Sequence, residues 1–111
     1  MIILFKTDYL RKLCHDEQEA KRRLGALCAK KLSMRLDSLD QCDNLDQLRS
    51  MPGRCHELKG GLQGHLAIDL HAGCRLVFRP DHDPLPTKLD GGLDWRSVTN
   101  ICVVAVEDYH G

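Results

Sequence analysis

The fold is decided by residues 64–79, which read GHLAIDLHAGCRLVFR. Apolar and polar side chains alternate on each side of a turn at Gly73, a pattern typical of two strands with one buried face and one polar face. The two apolar sets face the same way only if Leu70 pairs with Cys74, and a three-residue loop that ends in glycine suits this pairing. The sequence therefore predicts a β-hairpin with one face turned towards the core.

The other face of this hairpin is predicted to be polar and open. The register places Asp69 opposite Arg75 and His65 opposite Arg79, and His71 joins them at the turn. Arginines on an open sheet face can bind a phosphate backbone. The alternative is an ordinary solvated face on which Asp69 and Arg75 form a cross-strand ion pair. The alternation of residues leaves both readings open.

The segments on either side of the hairpin supply further strands and helices. A strand at 2–6 precedes a short helix, which Thr7 or Asp8 can cap, and a longer helix follows. Apolar residues at helical spacing define that longer helix, namely Ala20, Leu24, Leu27, Cys28, Leu32, Leu36 and Leu39. Further strands are expected near 54–58 and 99–107. The last strand is apolar on both faces, so we expect it to lie inside the sheet.

Length and composition limit the class of protein. The 111 residues suffice for one domain, so we expect residues 1–111 to form a single α+β unit, with the N-terminal strand and helices packed on one face of a mostly antiparallel sheet. Acidic and basic residues balance at 16 each, so net charge does not indicate nucleic-acid binding, although residues 7–35 are locally basic. The six cysteines lack metal or redox spacing and are expected to be buried thiols. No apolar stretch is long enough to cross a membrane, and a cytoplasmic location is expected.

Two polar clusters carry the residue types that acid–base chemistry needs. One is residues 54–60, RCHELKG, and the other is residues 107–110, EDYH, which follow the apolar final strand. Histidine can exchange a proton near neutral pH, and the basic residues can stabilise a phosphate. Alternation along the last strand puts Asp108 and His110 on one side and Tyr109 on the other. A histidine at the end of a chain is also often a frayed surface residue, so both interpretations of His110 stay open.

Together these segments resemble the HigB branch of the RelE/ParE toxin superfamily, the toxins of bacterial type II toxin–antitoxin modules. The matching parts are Lys6 after the opening strand, Arg54-x-His56-x-Leu58-Lys59-Gly60, Gly64, Gly73-x-Arg75-x-x-Phe78 and Glu107-Asp108-Tyr109-His110. The resemblance implies a RelE/ParE-like sheet with helices on one face. It also implies an endoribonuclease that cuts mRNA on the ribosome. Its partner would be a HigA-like helix-turn-helix antitoxin, and the toxin would contact DNA only through this antitoxin.

The resemblance also assigns catalytic roles to individual residues. The nucleophile is the 2′-hydroxyl of the RNA itself, so neither a metal ion nor a cofactor is implied. Lys59 and Arg75 would stabilise the charge that gathers on the phosphate. The candidates for proton transfer are His56, Asp108 and His110, and the resemblance leaves open which one is the base and which the acid.

The remaining site residues implied by the resemblance are auxiliary. Tyr109 would orient or stack, and Arg54 and Arg79 would contact the RNA backbone. Residues 81–83, DHD, could be mistaken for a metal cluster. Adjacent residues do not converge as metal ligands do, so a turn-rich loop is the better interpretation of this tract.

The chain departs from the family pattern in four places. Glu57 stands at the position of the usual proline, and Gly61 stands where family members often have aspartate. His65 replaces the usual aromatic residue, and the connection at 80–98 is longer than in the shortest members. Two other functions therefore stay open. One is a toxin of the same fold that poisons gyrase without cleaving RNA, as in the ParE branch, and the other is a degenerate member that only binds its antitoxin. The Asp-Tyr-His end favours the endoribonuclease, because binding alone requires no imidazole there.

Overall fold

A computed structural model describes the backbone of residues 1–108 and the side chains of residues 1–107. The strands are β1 (Ile2–Phe5), β2 (His56–Glu57), β3 (Leu66–Asp69), β4 (Cys74–Pro80) and β5 (Asn100–Asp108). The helices are α1 (Asp8–His15), α2 (Glu17–Leu24) and α3 (Ala26–Gln41), and 3₁₀ turns span Leu45–Ser50, Gly60–Leu62 and Trp95–Ser97. The described chain is therefore of the α+β class, as predicted.

The five strands form one sheet in the order β1-β5-β4-β3-β2. β1 runs parallel to β5, and the other pairings are antiparallel. β5 lies inside the sheet, as its apolar character predicted. Leu32 and Leu39 of α3 pack with Leu66, Phe78 and Ile101 of the sheet in the main core. The helices therefore cover one face of the sheet, which confirms the predicted arrangement.

The hairpin formed by β3 and β4 has the predicted register. The backbone N–H of Leu70 donates to the carbonyl oxygen of Cys74 at 2.9 Å, and Asp69 lies opposite Arg75. In the turn between the two strands, Ala72 adopts a positive φ of 51°. The register leaves one face of the hairpin to the core and the other to the polar residues.

A register shift interrupts the pairing of β4 with β5. Val77 and Phe78 pair with Ala105 and Val103 respectively, so Val104 is an extra residue on β5. This β-bulge displaces all pairing towards the end of β5 by one position. The pattern of apolar and polar residues does not reveal the bulge, because the residues around it are all apolar.

The helical part differs from the prediction. α1 begins at a predicted cap, where Thr7 Oγ1 accepts the backbone N–H of Leu10 at 3.1 Å. The single long helix predicted over 20–39 is wrong, because Gly25 has φ 84° and ψ 160° and separates α2 from α3. α2 folds back against α3, and Leu27, predicted on the apolar side, is 60% exposed.

The prediction of buried cysteines holds for three of the six, and the other three are only partly buried. Cys28, Cys42 and Cys102 are buried free thiols. Burial raises the pKa of the Cys55 thiol to about 12 and that of Cys14 to about 11. Neither group forms the reactive thiolate near neutral pH. Among the described residues, none of the helices combines the length and the apolar character needed to cross a membrane.

Replacement of Gly25 by alanine tests the break between α2 and α3. The backbone angles of Gly25 are almost exclusive to glycine, so Gly25→Ala should lower the free energy of unfolding by about 1–3 kcal/mol. Urea denaturation measures this directly. Gly61→Ala is the matched control, because an added Cβ there meets nothing within 4 Å. Equal stability of the two variants would show that the chain tolerates a continuous helix.

Candidate active site

A polar face lies on the side of the sheet opposite to the core. His56, Ala67, Val77 and Ala105 are paired in one row across β2, β3, β4 and β5. Ala67 and Val77 are buried and His56 is half-buried. The middle of this row on the polar face therefore consists of small side chains, and the imidazole of His56 lies at the end of the row.

Charged residues form the next row of the polar face. Nε and Nη2 of Arg75 donate to Oε1 of Glu107 at 2.9 and 2.7 Å, and the Arg75 side chain is only 16% exposed. Asp69 accepts a hydrogen bond from Nε of Arg54 at 2.9 Å. The ion pairs are therefore Arg54–Asp69 and Arg75–Glu107, where the sequence suggested Asp69–Arg75. A guanidinium held in this way is fixed in position before any substrate arrives.

The register shift at Val104 accounts for the pair between Arg75 and Glu107. If the pairing of the first half of β5 continued unbroken, Arg75 would lie opposite Val106. The bulge brings a carboxylate to that place instead. Sequence reasoning missed this role of Glu107, since only knowledge of the bulge reveals which residue lies opposite Arg75.

His56 is held in one orientation by the turn that precedes it. Its Nδ1 lies 2.7 Å from the carbonyl oxygen of Arg54. Because a carbonyl oxygen only accepts, Nδ1 carries the proton, and Nε2 of the neutral ring keeps its lone pair. The imidazole is thus prepared to accept a proton at Nε2.

The turn before His56 depends on an unusual backbone. Arg54 has φ 51° and Gly53 has φ 110°, so the strand predicted over 54–58 cannot begin at Arg54, and β2 spans only His56–Glu57. A Cβ on Gly53 would lie 2.6 Å from Cγ2 of Ile68. Glycine is therefore required at this position for space as well as for conformation.

Lys59 lies at the other end of β2. It is exposed and directly precedes a 3₁₀ turn. The backbone N–H of its neighbour Leu58 donates to His65, four residues along the chain from Asp69, which faces Arg75. Four residue rises from His65 to Asp69 span about 13 Å. Lys59 is one residue beyond Leu58, so the backbones of Lys59 and Arg75 are about 16 Å apart along the strands. The two predicted cations thus lie towards opposite ends of the sheet.

The end of β5 lies beside Arg75. The backbone of Asp108 pairs with Cys74, the residue before Arg75. The side chain of Asp108 and the whole of Tyr109 and His110 lie outside the described residues. Their predicted roles, and the predicted alternation along the end of the chain, remain predictions.

The tract at 81–83 has a structural explanation. Nε2 of His82 accepts the backbone N–H groups of Thr99 and Asn100 at 3.1 and 3.2 Å, and Asp81 pairs with Arg79 at 3.4 Å. These contacts tie the start of the long connection to the start of β5. Within residues 1–107, no group of three or more His, Cys, Asp or Glu side chains is placed to hold a metal ion.

Comparisons with known proteins concern the family and the fold. A family model described as a RelE-like toxin of the type II toxin–antitoxin system HigB matches residues 3–86. The fold is similar to that of a YoeB/ParE toxin from Agrobacterium tumefaciens, with a TM-score of 0.58 and 15% identity over 98% of this chain and 99% of that one. It is also similar to a YoeB dimer from Staphylococcus aureus, with a TM-score of 0.56 and 19% identity over 100% of this chain and 98% of that one. No curated protein sequence matches significantly.

Removal of the Glu107 carboxylate tests the anchoring of Arg75. Glu107→Ala deletes two charge-assisted hydrogen bonds to a largely buried guanidinium, so it should lower the free energy of unfolding by about 1–3 kcal/mol. Chemical denaturation measures the loss. Glu17→Ala removes a carboxylate that is 77% exposed and 3.8 Å from Lys21, and it should have a far smaller effect. If both variants unfolded at the same denaturant concentration as the wild type, the pair would not contribute to the stability of the sheet.

Proposed function

The chain belongs to the RelE-like HigB toxins of type II toxin–antitoxin systems, and from this premise we propose that it is a ribosome-dependent endoribonuclease. It cleaves translated mRNA and so inhibits translation. The proposal treats residues 1–111 as one toxin domain that acts in the cytoplasm, where ribosomes and mRNA meet. A HigA-like helix-turn-helix antitoxin neutralises it and supplies the contact with DNA.

The orientation of His56 is the observation that supports this proposal most. Its Nδ1 is occupied by the Arg54 carbonyl, so Nε2 is the atom that can remove a proton from a bound RNA. Arg75 lies on the same face, two strands across and two residues along from His56, and is fixed by Glu107. A base and a fixed cation on one sheet face are what attack on a phosphodiester requires. Gyrase poisoning or antitoxin binding alone would make no use of a base oriented in this way.

The proposed reaction is an internal transfer. The 2′-oxygen of a ribose forms a bond to the adjacent phosphorus as its proton passes to the base, for which His56 is suited. The bond from phosphorus to the 5′-oxygen breaks, and an acid protonates that leaving oxygen. The products are a 2′,3′-cyclic phosphate and a 5′-hydroxyl. No water, metal ion or oxidant enters this balance.

The remaining residues of the proposed site divide between proton transfer and charge. Asp108 and His110 are the candidates for the acid, and Tyr109 would orient or stack against the RNA. Arg75 would stabilise the charge on the reacting phosphate. The backbone of Lys59 is about 16 Å from that of Arg75 along the strands, so Lys59 would contact a second phosphate or extend its long side chain towards the reacting one. Arg54 and Arg79 would contact the RNA backbone.

Expression of the protein without its antitoxin tests the proposed function. Growth and translation should stop, and mapped mRNA ends should lie inside reading frames and carry 5′-hydroxyl groups. His56→Gln keeps a hydrogen-bonding side chain but removes the base, so it should slow cleavage on purified ribosomes by about a hundredfold or more. Intact mRNA together with damaged DNA would instead assign the protein to the gyrase-poisoning branch.

The chain offers a closely matched control for His56. His15 is exposed, and its Nδ1 also lies close to a backbone carbonyl oxygen, that of Arg11 at 2.8 Å. It belongs to α1 on the other side of the sheet. His15→Gln should therefore cleave mRNA at the wild-type rate. Equal activity of His56→Gln and His15→Gln, at matched soluble expression, would remove His56 from the proposed mechanism.

A further inference from the structure

The strand that carries His56 has little support of its own. β2 consists of two residues at the edge of the sheet, paired only with β3. The left-handed turn at Arg54 precedes it, and the turn at Gly60 follows it. Edge strands of this length are among the least stable parts of a sheet. An imidazole that must be placed accurately therefore needs an anchor from elsewhere in the fold.

Such an anchor reaches β2 from the long connection between β4 and β5. Nε1 of Trp95 donates a hydrogen bond to Oε2 of Glu57 at 3.1 Å. Trp95 is only 5% exposed and belongs to the main core. The guanidinium of Arg49 lies 3.8 Å from the centre of its ring, and Nε of Arg49 is bonded to Asp46 at 2.7 Å. The indole is thus fixed by its own packing, and Glu57 is the exposed partner that it holds.

Glu57 lies on the side of β2 that faces away from the proposed site. Successive side chains of a strand point to opposite faces. Glu57 is paired with Leu66, a core residue, whereas His56 is paired with Ala67 on the polar face. The carboxylate therefore does not meet the substrate in this arrangement. Its hydrogen bond can affect the reaction only by fixing the backbone that His56 and Lys59 share.

We infer that Glu57 and Trp95 are positioning residues. Through them, the connection at 81–98 holds β2 in place from the core side of the sheet. This inference rests on the proposed endoribonuclease function. It also links two departures of this chain from the family pattern. Glu57, at the position of the usual proline, accepts a hydrogen bond from Trp95, which belongs to the longer connection. The anchor keeps Nε2 of His56 and the turn at Lys59 at a constant distance from Arg75.

Cleavage of ribosome-bound mRNA by three variants tests the anchor. Glu57→Ala removes the acceptor, Trp95→Phe removes the indole N–H together with part of the ring system, and Glu57→Gln keeps an oxygen that can accept. Glu57→Ala and Trp95→Phe should each lower kcat by between about tenfold and a hundredfold, because small misplacement of a reacting group has this effect. KM should change little, and Glu57→Gln should restore most of the activity. The double variant should be no slower than the slower single variant.

The control is a hydrogen bond of the same connection that does not reach β2. Ser97 Oγ donates to Asp94 at 2.8 Å, and Ser97→Ala should retain wild-type kcat. Since Trp95→Phe also changes core packing, Glu57→Ala at the surface decides the matter if Trp95→Phe folds poorly. Wild-type kcat in Glu57→Ala, or equal losses in Glu57→Ala and Ser97→Ala, would overturn the inference.

A second readout separates the anchor from the proposed function. The imidazole signals of His56 in NMR spectra should shift in Glu57→Ala and return in Glu57→Gln, whether or not the protein cleaves RNA. Unchanged His56 signals in Glu57→Ala would overturn the anchor by themselves. A wild-type protein that leaves ribosome-bound mRNA intact would instead refute the proposed function, while the shift of the His56 signals would still uphold the anchor.

Discussion

The pairing of β4 with β5 is the constraint on which the polar face depends. One extra residue, Val104, shifts the register, and this shift alone puts Glu107 opposite Arg75. The two hydrogen bonds that follow fix a guanidinium that is largely withdrawn from solvent. Without the bulge, an apolar valine would face Arg75. The guanidinium would then be oriented only when the substrate binds.

Two glutamates support the proposed site from different directions. Glu107 fixes the cation on the polar face, whereas Glu57 fixes the edge strand through Trp95 on the core side. Neither residue needs to exchange a proton in the reaction. Preorganisation of this kind lowers the free-energy cost of aligning groups when the transition state forms, because the alignment is part of the folded structure. In this account, the sheet and the core around Trp95 hold the proposed catalytic groups in position.

The sequence predicted those features that short-range patterns determine. The hairpin register followed from alternation and one glycine, and the interior position of β5 followed from its apolar run. The break at Gly25 was missed because apolar spacing continues across it, and helical periodicity gives little weight to a single glycine. The bulge was invisible, because a one-residue shift within an apolar run changes no pattern. The bond between Glu57 and Trp95 joins residues 38 positions apart, beyond the reach of any local signal.

The candidate site was predictable in composition more than in geometry. The resemblance supplied the residues, but their spacing in the sequence did not show that Lys59 and Arg75 lie towards opposite ends of the sheet. It also did not show which nitrogen of His56 is occupied. The first depends on the register of the strands, and the second on the left-handed turn at Gly53 and Arg54. Long-range packing and single strained residues therefore determine what motif matching leaves open.

The most direct test of the central claim is made on the RNA rather than on the protein. A ribosome-bound mRNA with a single 2′-deoxyribose immediately before the cleaved bond lacks the proposed nucleophile but keeps its shape and charge. The account predicts that cleavage at that bond is lost while the unmodified mRNA is cut to a 2′,3′-cyclic phosphate and a 5′-hydroxyl. Cleavage of the deoxy-substituted bond at the wild-type rate would contradict it, as would failure to cut the unmodified mRNA.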